Sequence, residues 1–269
     1  MPYAERDGVR IFYETDGEPA DTAVVFIEGL GYGRWMWNWQ RDAVADTHHV
    51  IVIDNRGTGR SDEPEGPYTI AGMAADVEAV LTAAGVERAH LVGASMGGMI
   101  AQQYALDHAR AASLALLCTT PGGPEAEPTP PETLERMFGV PAEYDERAAI
   151  RYKMEPAMTA EFWASNDDLI ERIVDWRLAM DAPKEGRQNQ AAAVEAFDVS
   201  DRLQELQLPT TVMHGERDRV VPIANGRLLA EGVPEAELVT FEEGGSHLFF
   251  IERADSVTDA LLSSIPDEQ

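Results

Sequence analysis

Two periodicities alternate along the chain. Continuous apolar and β-branched runs, of the kind a strand buried on both faces requires, fall at residues 22–27, 49–54, 90–94, 113–118, 209–214 and 236–241. Between them apolar residues recur at helical spacing. Residues 69–84 carry Ile70, Met73, Val77, Val80 and Leu81, with Gly85 as a C-terminal stop. Residues 99–105 read as a buried helix, and a last helix runs over about 253–263. Near the start, two strand-like runs, 3–6 and 9–15, flank Asp7-Gly8, a hairpin signal. Strands alternating with helices predict an α/β fold with a mainly parallel sheet covered on both faces. In such sheets reactive groups gather beyond the C-terminal ends of the strands.

The alternation stops near residue 122. From there to residue 200 no strand is predicted. Proline recurs at Pro124, Pro128, Pro130, Pro131 and Pro141, and helical patterns follow at 131–138, 144–154, 157–164, 167–180 and 188–197. In a chain too short for two large independent domains, this segment reads as a small helical insertion rather than a separate domain. The expected organisation is a core of residues 1–121 and 201–269, with residues 122–200 inserted as a helical lid.

The predicted strand ends run into four loops with chemical content. Residues 90–94 enter Gly93-Ala94-Ser95-Met96-Gly97, a G-x-S-x-G turn with a helix behind it. Glycines two residues either side leave room for a serine on a sharp turn, and the helix N-terminus offers free N–H groups to a developing oxyanion. Residues 22–27 end in Glu28-Gly29-Leu30-Gly31-Tyr32-Gly33. The Leu30 and Met96 N–H groups are therefore candidate oxyanion donors. The third loop runs from His214 through Glu216 and Asp218 to Pro222, and the fourth holds Gly244-Gly245-Ser246-His247. A serine hydroxyl needs a base within reach, and the base needs an orienting acid. Ser95, Asp218 and His247 stand in that chain order, with Glu216 as the alternative acid.

Other candidates read as structural. Cys118 closes an apolar run and reads as a small buried hydrophobe; alone, it forms no internal disulfide. His214 reads as strand-end packing, and Asp54 and Asp62 as residues holding turn N–H groups. His48, His49, His90 and His108 show no metal-ligand spacing. Trp35, Trp37 and Trp39 read as packing, with one at a pocket wall. No metal or cofactor is called for.

Taken together, the G-x-S-x-G turn, the His214–Pro222 loop, Gly244-Gly245-Ser246-His247 and Asp54-Asn55-Arg56-Gly57-Thr58-Gly59-Arg60-Ser61-Asp62 resemble the α/β-hydrolase superfamily over nearly the whole length. Within it the chain looks most like the esterase, enol-lactonase and cofactor-free haloperoxidase group. The resemblance implies an eight-stranded, mostly parallel sheet with a helical lid, with Ser95 as nucleophile, His247 as base and Asp218 as its acid. The implied activity is hydrolysis of a carboxylic ester or lactone. An enol-lactonase-like or C–C bond hydrolase is the alternative enzyme, and a ligand sensor retaining the fold is the alternative of another class. An aspartate nucleophile, as in dehalogenases of this fold, does not match Ser95.

Charge changes the picture of partners and setting. The 269 residues carry 48 acids against 21 bases, a net charge of −27, and Lys153 and Lys184 are the only lysines. The acids are spread along the chain rather than gathered in a tail. Such a surface repels itself in low salt, and the repulsion is screened at about 1 M, where the Debye length is ~3 Å. It resembles the proteins of salt-in halophiles, and it disfavours nucleic acid and anionic membranes as partners. No apolar run approaches membrane-spanning length, no secretory n-region or h-region is evident, and a cytoplasmic setting is expected. The family usually places His-Gly at the oxyanion loop; here it is Glu28-Gly29, whose carboxylate would raise the local negative potential or be neutralised by an arginine such as Arg34 or Arg56. The lid adds 17 acids against 8 bases. Both features argue for a small neutral ester or lactone over an anionic one. Oligomeric state is not encoded in any of these patterns.

Overall fold

The computed structural model describes residues 2–266. Eight strands are formed: β1 (Tyr3–Arg6), β2 (Val9–Asp16), β3 (Thr22–Ile27), β4 (His49–Ile53), β5 (Arg88–Ala94), β6 (Ala111–Leu117), β7 (Thr210–Gly215) and β8 (Glu237–Phe241). They make one sheet in the order β1-β2-β4-β3-β5-β6-β7-β8. β1 pairs antiparallel with β2, and β2 antiparallel with β4; every other pairing is parallel.

The continuous apolar runs are explained by two cores, one on each face. Alternate residues of one strand feed opposite sides: Val25 and Ile27 join Ile51, Leu91 and Leu116 on one face. Val24 and Phe26 join Val50, Val52, Val92 and Leu117 on the other. Each such side chain contributes about 1.5–3 kcal/mol on burial, so a polar residue on either face of β3 or β5 would be costly. The helix Ile70–Ala84 starts where Thr69 accepts a hydrogen bond from the Gly72 N–H and stops at Gly85, whose φ of 72° only glycine takes without strain.

Between β6 and β7 the described residues form helices and one isolated antiparallel bridge, Gly122↔Asp198. With the Val199 N–H donating to the Pro121 carbonyl at 2.9 Å, that bridge brings the ends of the insertion together at one point on the core. The helices Pro131–Phe138 and Asp167–Met180 match the sequence pattern. The helix expected over 188–197 instead spans Lys184–Glu195. Its first turn carries no apolar periodicity and is fixed from outside: Pro183 begins it, and the Gly186 N–H donates to Glu63 at 2.6 Å. Short helices at Arg41–Ala45 and Ile223–Gly232 were not evident from periodicity. Among the described residues no helix is long and apolar enough to cross a membrane.

Candidate active site

Ser95 sits between β5 and the helix Met96–Asp107 with φ 53° and ψ −117°. A non-glycine residue there costs on the order of 1–3 kcal/mol and persists only when its surroundings enforce it. The Ser95 N–H donates to the Leu117 carbonyl at 2.9 Å, and the Thr119 hydroxyl donates to the Ser95 carbonyl at 2.7 Å. Tight packing completes the constraint. A Cβ on Gly93 would stand 2.2 Å from the Gly97 carbonyl oxygen, and one on Gly97 would stand 2.1 Å from that of Ile27. The two glycines of the motif are thus demanded by backbone approach on both sides of the serine.

The two loops after β7 and β8 bring Asp218 and His247 together. His247 Nδ1 donates to Asp218 Oδ2 at 2.8 Å. The other carboxylate oxygen, Oδ1, accepts from the N–H groups of Val220 and Val221 at 2.8 and 2.9 Å. Burial alone would raise Asp218, but the His247 charge and the hydrogen bonds from His214 and His247 outweigh it and hold the carboxyl at about 2. Burial opposes the charged form of His247, and Asp218 more than compensates, lifting the imidazole well above its ordinary range. Glu216, the alternative acid, is exposed and does not bond His247.

The expected N–H donors are free at the right end of the sheet. In the loop after β3, the Gly29 N–H donates to Met36 Sδ, the Gly31 N–H to Gln190 at 2.7 Å and the Tyr32 N–H to the Gly29 carbonyl at 3.2 Å. Among the described residues no acceptor takes the Leu30 N–H or the Met96 N–H. Two amides left open where a serine hydroxyl is presented can receive an oxyanion.

Glu28 departs from expectation. It is fully buried, and neither Arg34 nor Arg56 pairs with it. Arg34 Nη1 is 2.7 Å from Asp54, and Arg56 bonds Asp76. Both Glu28 carboxyl oxygens lack hydrogen-bond partners. Burial first, and Asp54 second, push its pKa well up, which favours the neutral acid over a charge beside the oxyanion loop. Asp54 does hold turn N–H groups, accepting from Arg60 at 2.9 Å and Arg34 at 3.4 Å. Asp62 differs: it binds Arg10, through the main-chain N–H at 2.8 Å and the guanidinium.

Two residues lie closer to this arrangement than sequence reading allowed. Cys118 is buried, but it falls one residue past β6, at φ 43°, and not within the strand. It directly follows Leu117, whose carbonyl holds the Ser95 N–H, and burial, the largest influence, pushes its thiol pKa up. Ligand atoms of Cys118, Asp218 and His247 lie within 4.8 Å of one another, two of them already joined by the His247–Asp218 hydrogen bond. His214 is more than packing: its Nε2 donates to the Val221 carbonyl at 2.8 Å and lies 3.4 Å from Asp218 Oδ2. Their position at strand ends was the only sequence signal for either. His48, His49 and His90 share the wall of one groove, formed around the start of β3 with Ala20 and Thr22, at the far end of the sheet from Ser95. Trp35 and Trp37 are buried, and Trp39 packs edge-on to Trp176 at 5.8 Å between ring centres.

A strand-end serine elbow, a paired histidine and acid, and open amides on an eight-stranded sheet define a class, and comparison with known proteins agrees. Residues 22–254 match the α/β hydrolase fold family, and the chain belongs to that family. It is 32% identical over 271 residues to the RutD protein of Azorhizobium caulinodans, with 97% of each chain covered. Among solved structures, Est816, an N-acyl homoserine lactone degrading enzyme, is 34% identical with a TM-score of 0.84, covering 98% of this chain and 100% of that one. The enol-lactonase from Burkholderia xenovorans LB400 is 29% identical with a TM-score of 0.84, covering 98% and 99%.

Proposed function

We propose that the protein is a serine hydrolase that cleaves a small carboxylic ester or lactone through an acyl-enzyme intermediate. The observation that carries this reading is the 2.8 Å His247–Asp218 hydrogen bond placed one side chain, Cys118, away from a serine held at φ 53°. Asp218 fixes the tautomer, so that Nδ1 keeps its proton and Nε2 is the basic atom. In the reaction Ser95 Oγ attacks the carbonyl carbon while His247 Nε2 takes its proton. The oxyanion is received by the Leu30 and Met96 N–H groups. His247 then protonates the leaving alkoxide as the C–O bond breaks. A water, deprotonated by His247, attacks the acyl carbon and regenerates Ser95. One oxyanion donor is worth about 10²–10³ in kcat.

The names of the relatives support acyl transfer from a heteroatom leaving group. RutD is named for carbamate hydrolysis, Est816 for lactone degradation and the Burkholderia protein for enol-lactone cleavage. A carbamate follows the same steps with an amine or alkoxide leaving, so the ester reading rests on the site and not on one relative. The charge of −27 and two lysines support a salt-adapted enzyme.

Stopped-flow release of 4-nitrophenol from short-chain 4-nitrophenyl esters tests the reading, in low salt and in ~2–3 M KCl. A burst followed by turnover, lost in Ser95→Ala, is expected, with the faster turnover in high salt. Turnover that survives Ser95→Ala overturns the mechanism. A single turnover with a retained adduct points to a sensor. Equal rates in both salts remove the salt adaptation alone.

A further inference from the structure

The lid is acidic overall, yet its cations are not evenly placed. Three of the eight are answered by acids within the lid: Arg147 by Glu171 and Asp175, Arg151 by Asp167 and Glu171, Arg136 by Glu155. Two others, Arg177 and Arg187, converge on the loop that carries Leu30, and Lys153 lies near enough to feel the charge of both.

Arg187 lies on the loop itself. A Cβ on Gly31 would stand 3.2 Å from both Cζ and Nε of Arg187, so the guanidinium lies against the backbone next to the open Leu30 N–H. The lid is stitched to this loop on both sides, with Ala182 N–H donating to the Gly31 carbonyl at 2.9 Å and Gln190 accepting from the Gly31 N–H. Arg177 is buried 4.4 Å over the Tyr32 ring and bonds Asp181 at 2.7 Å. Arg187 reaches the same carboxylate only at 3.8 Å. Asp181 is already accepting from the Trp35 indole at 2.8 Å and the Gly33 N–H at 3.2 Å. Lys153, on the helix Glu146–Met154, is the third cation. It makes no ion pair among the described residues, and the charges it feels are those of Arg187 and Arg177.

Two guanidinium groups therefore share one carboxylate beside the oxyanion loop of a strongly acidic protein, and the Lys153 ammonium nearby has no carboxylate partner among the described residues. Burial first, and the neighbouring cations second, push both Lys153 and Arg187 down. Such an arrangement costs stability unless an anion completes it. On the reading above, the group entering beside Leu30 is the substrate. We infer that Arg187 and Lys153 form an anion subsite that binds a carboxylate carried by the ester or lactone substrate. Arg187 supplies a planar fork for it and Lys153 a point charge. This inference rests on the serine-hydrolase reading and reverses the neutral substrate expected from composition. That expectation counted 17 lid acids and a charged Glu28, but Glu155, Asp167, Glu171 and Asp175 are paired with lid arginines and burial shifts Glu28 toward its neutral form.

The test compares mono-4-nitrophenyl glutarate with the 4-nitrophenyl ester of monomethyl glutarate, an uncharged partner of similar length, at fixed ionic strength. The expected wild-type kcat/KM favours the anionic ester by about 10- to 100-fold, the size of a charge-assisted hydrogen bond. Arg187→Gln and Lys153→Gln each reduce that ratio several-fold, mainly by raising KM for the anion, and Arg187→Lys keeps part of it. Equal or better use of the neutral ester by wild type overturns the inference, as does a ratio untouched by both variants. In either case the serine mechanism stands. Turnover of neither ester overturns the serine-ester reading and the subsite with it.

Discussion

Asp218 at the end of the sheet and Asp181 at the base of the lid are both buried, and each lies between two bases. Asp218 has His247 at 2.8 Å and His214 at 3.4 Å. Asp181 has Arg177 at 2.7 Å and Arg187 at 3.8 Å. What separates them is the base. An imidazole titrates, so the Asp218 set can gain and lose a proton, and the carboxylate biases where that proton goes. A guanidinium stays charged, so the Asp181 set keeps a fixed positive excess. The first geometry can move protons during a reaction, and the second can only hold a field. Two carboxylates of similar burial are thus fitted for different tasks by their neighbours.

Breaking the first set has the largest expected effect. Asp218→Asn keeps the shape but lets His247 take the wrong tautomer, and kcat on 4-nitrophenyl esters falls by about 10⁴. Breaking the second set acts on stability. Asp181→Asn leaves two guanidinium groups without their carboxylate, and urea unfolding shows a loss of about 3–5 kcal/mol. An Asp181→Asn protein that loses activity by about 10⁴ with an unchanged urea midpoint would mean that the two carboxylates had been assigned the wrong way round.

The proton-moving set also sets the pH dependence. Because Asp218 raises His247, the acid limb of kcat/KM lies above the usual histidine value of about 6.5, and Asp218→Asn moves it down. The stability signs follow. The His247 contribution is complete below its unfolded pKa and is lost as pH rises through the folded one. The Asp218 contribution is present above its unfolded pKa and is lost as pH falls toward about 2. Urea midpoints across pH, for wild type and Asp218→Asn, measure both limbs.

Glu28→Gln gives the smallest effect. The Glu28 pKa is raised in the fold, so the native state is most favoured below the unfolded carboxyl value and loses that advantage as pH climbs through the folded pKa. Glutamine does not ionise. Wild type and Glu28→Gln should therefore melt together near pH 4, with the variant higher at pH 8. A variant that is less stable at pH 8 would show that Glu28 is charged and satisfied.

The difference between the two regions also decides what could be read from sequence. Ser95, Asp218 and His247 each follow a strand, and strands announce themselves by apolar runs, so the sheet itself brought the loops together. Leu30 and Met96 came by the same route. Cys118 escaped because it ends such a run; one residue of backbone at φ 43° turns a core side chain toward His247. Asp181 had no such marker. It is one acid among 17 in the lid, and only the docking of the lid on Gly31, Tyr32 and Trp35 sets it apart. Glu28 could be located but not weighed, since its charge depends on burial beside Asp54. The first turn of the helix Lys184–Glu195 was hidden for a related reason: contacts with Glu63 and Gly57, not its own periodicity, hold it.

The central claim is that Ser95 carries the acyl group. The direct measurement is acid quenching during turnover of 4-nitrophenyl acetate, followed by peptide mass mapping. The account predicts an acetyl group, about 42 Da, on the peptide containing Ser95, absent in Ser95→Ala, since an activated serine forms the covalent intermediate. An adduct on Cys118, the other nucleophile within reach of His247, would contradict it, as would steady turnover with no adduct in the wild-type protein.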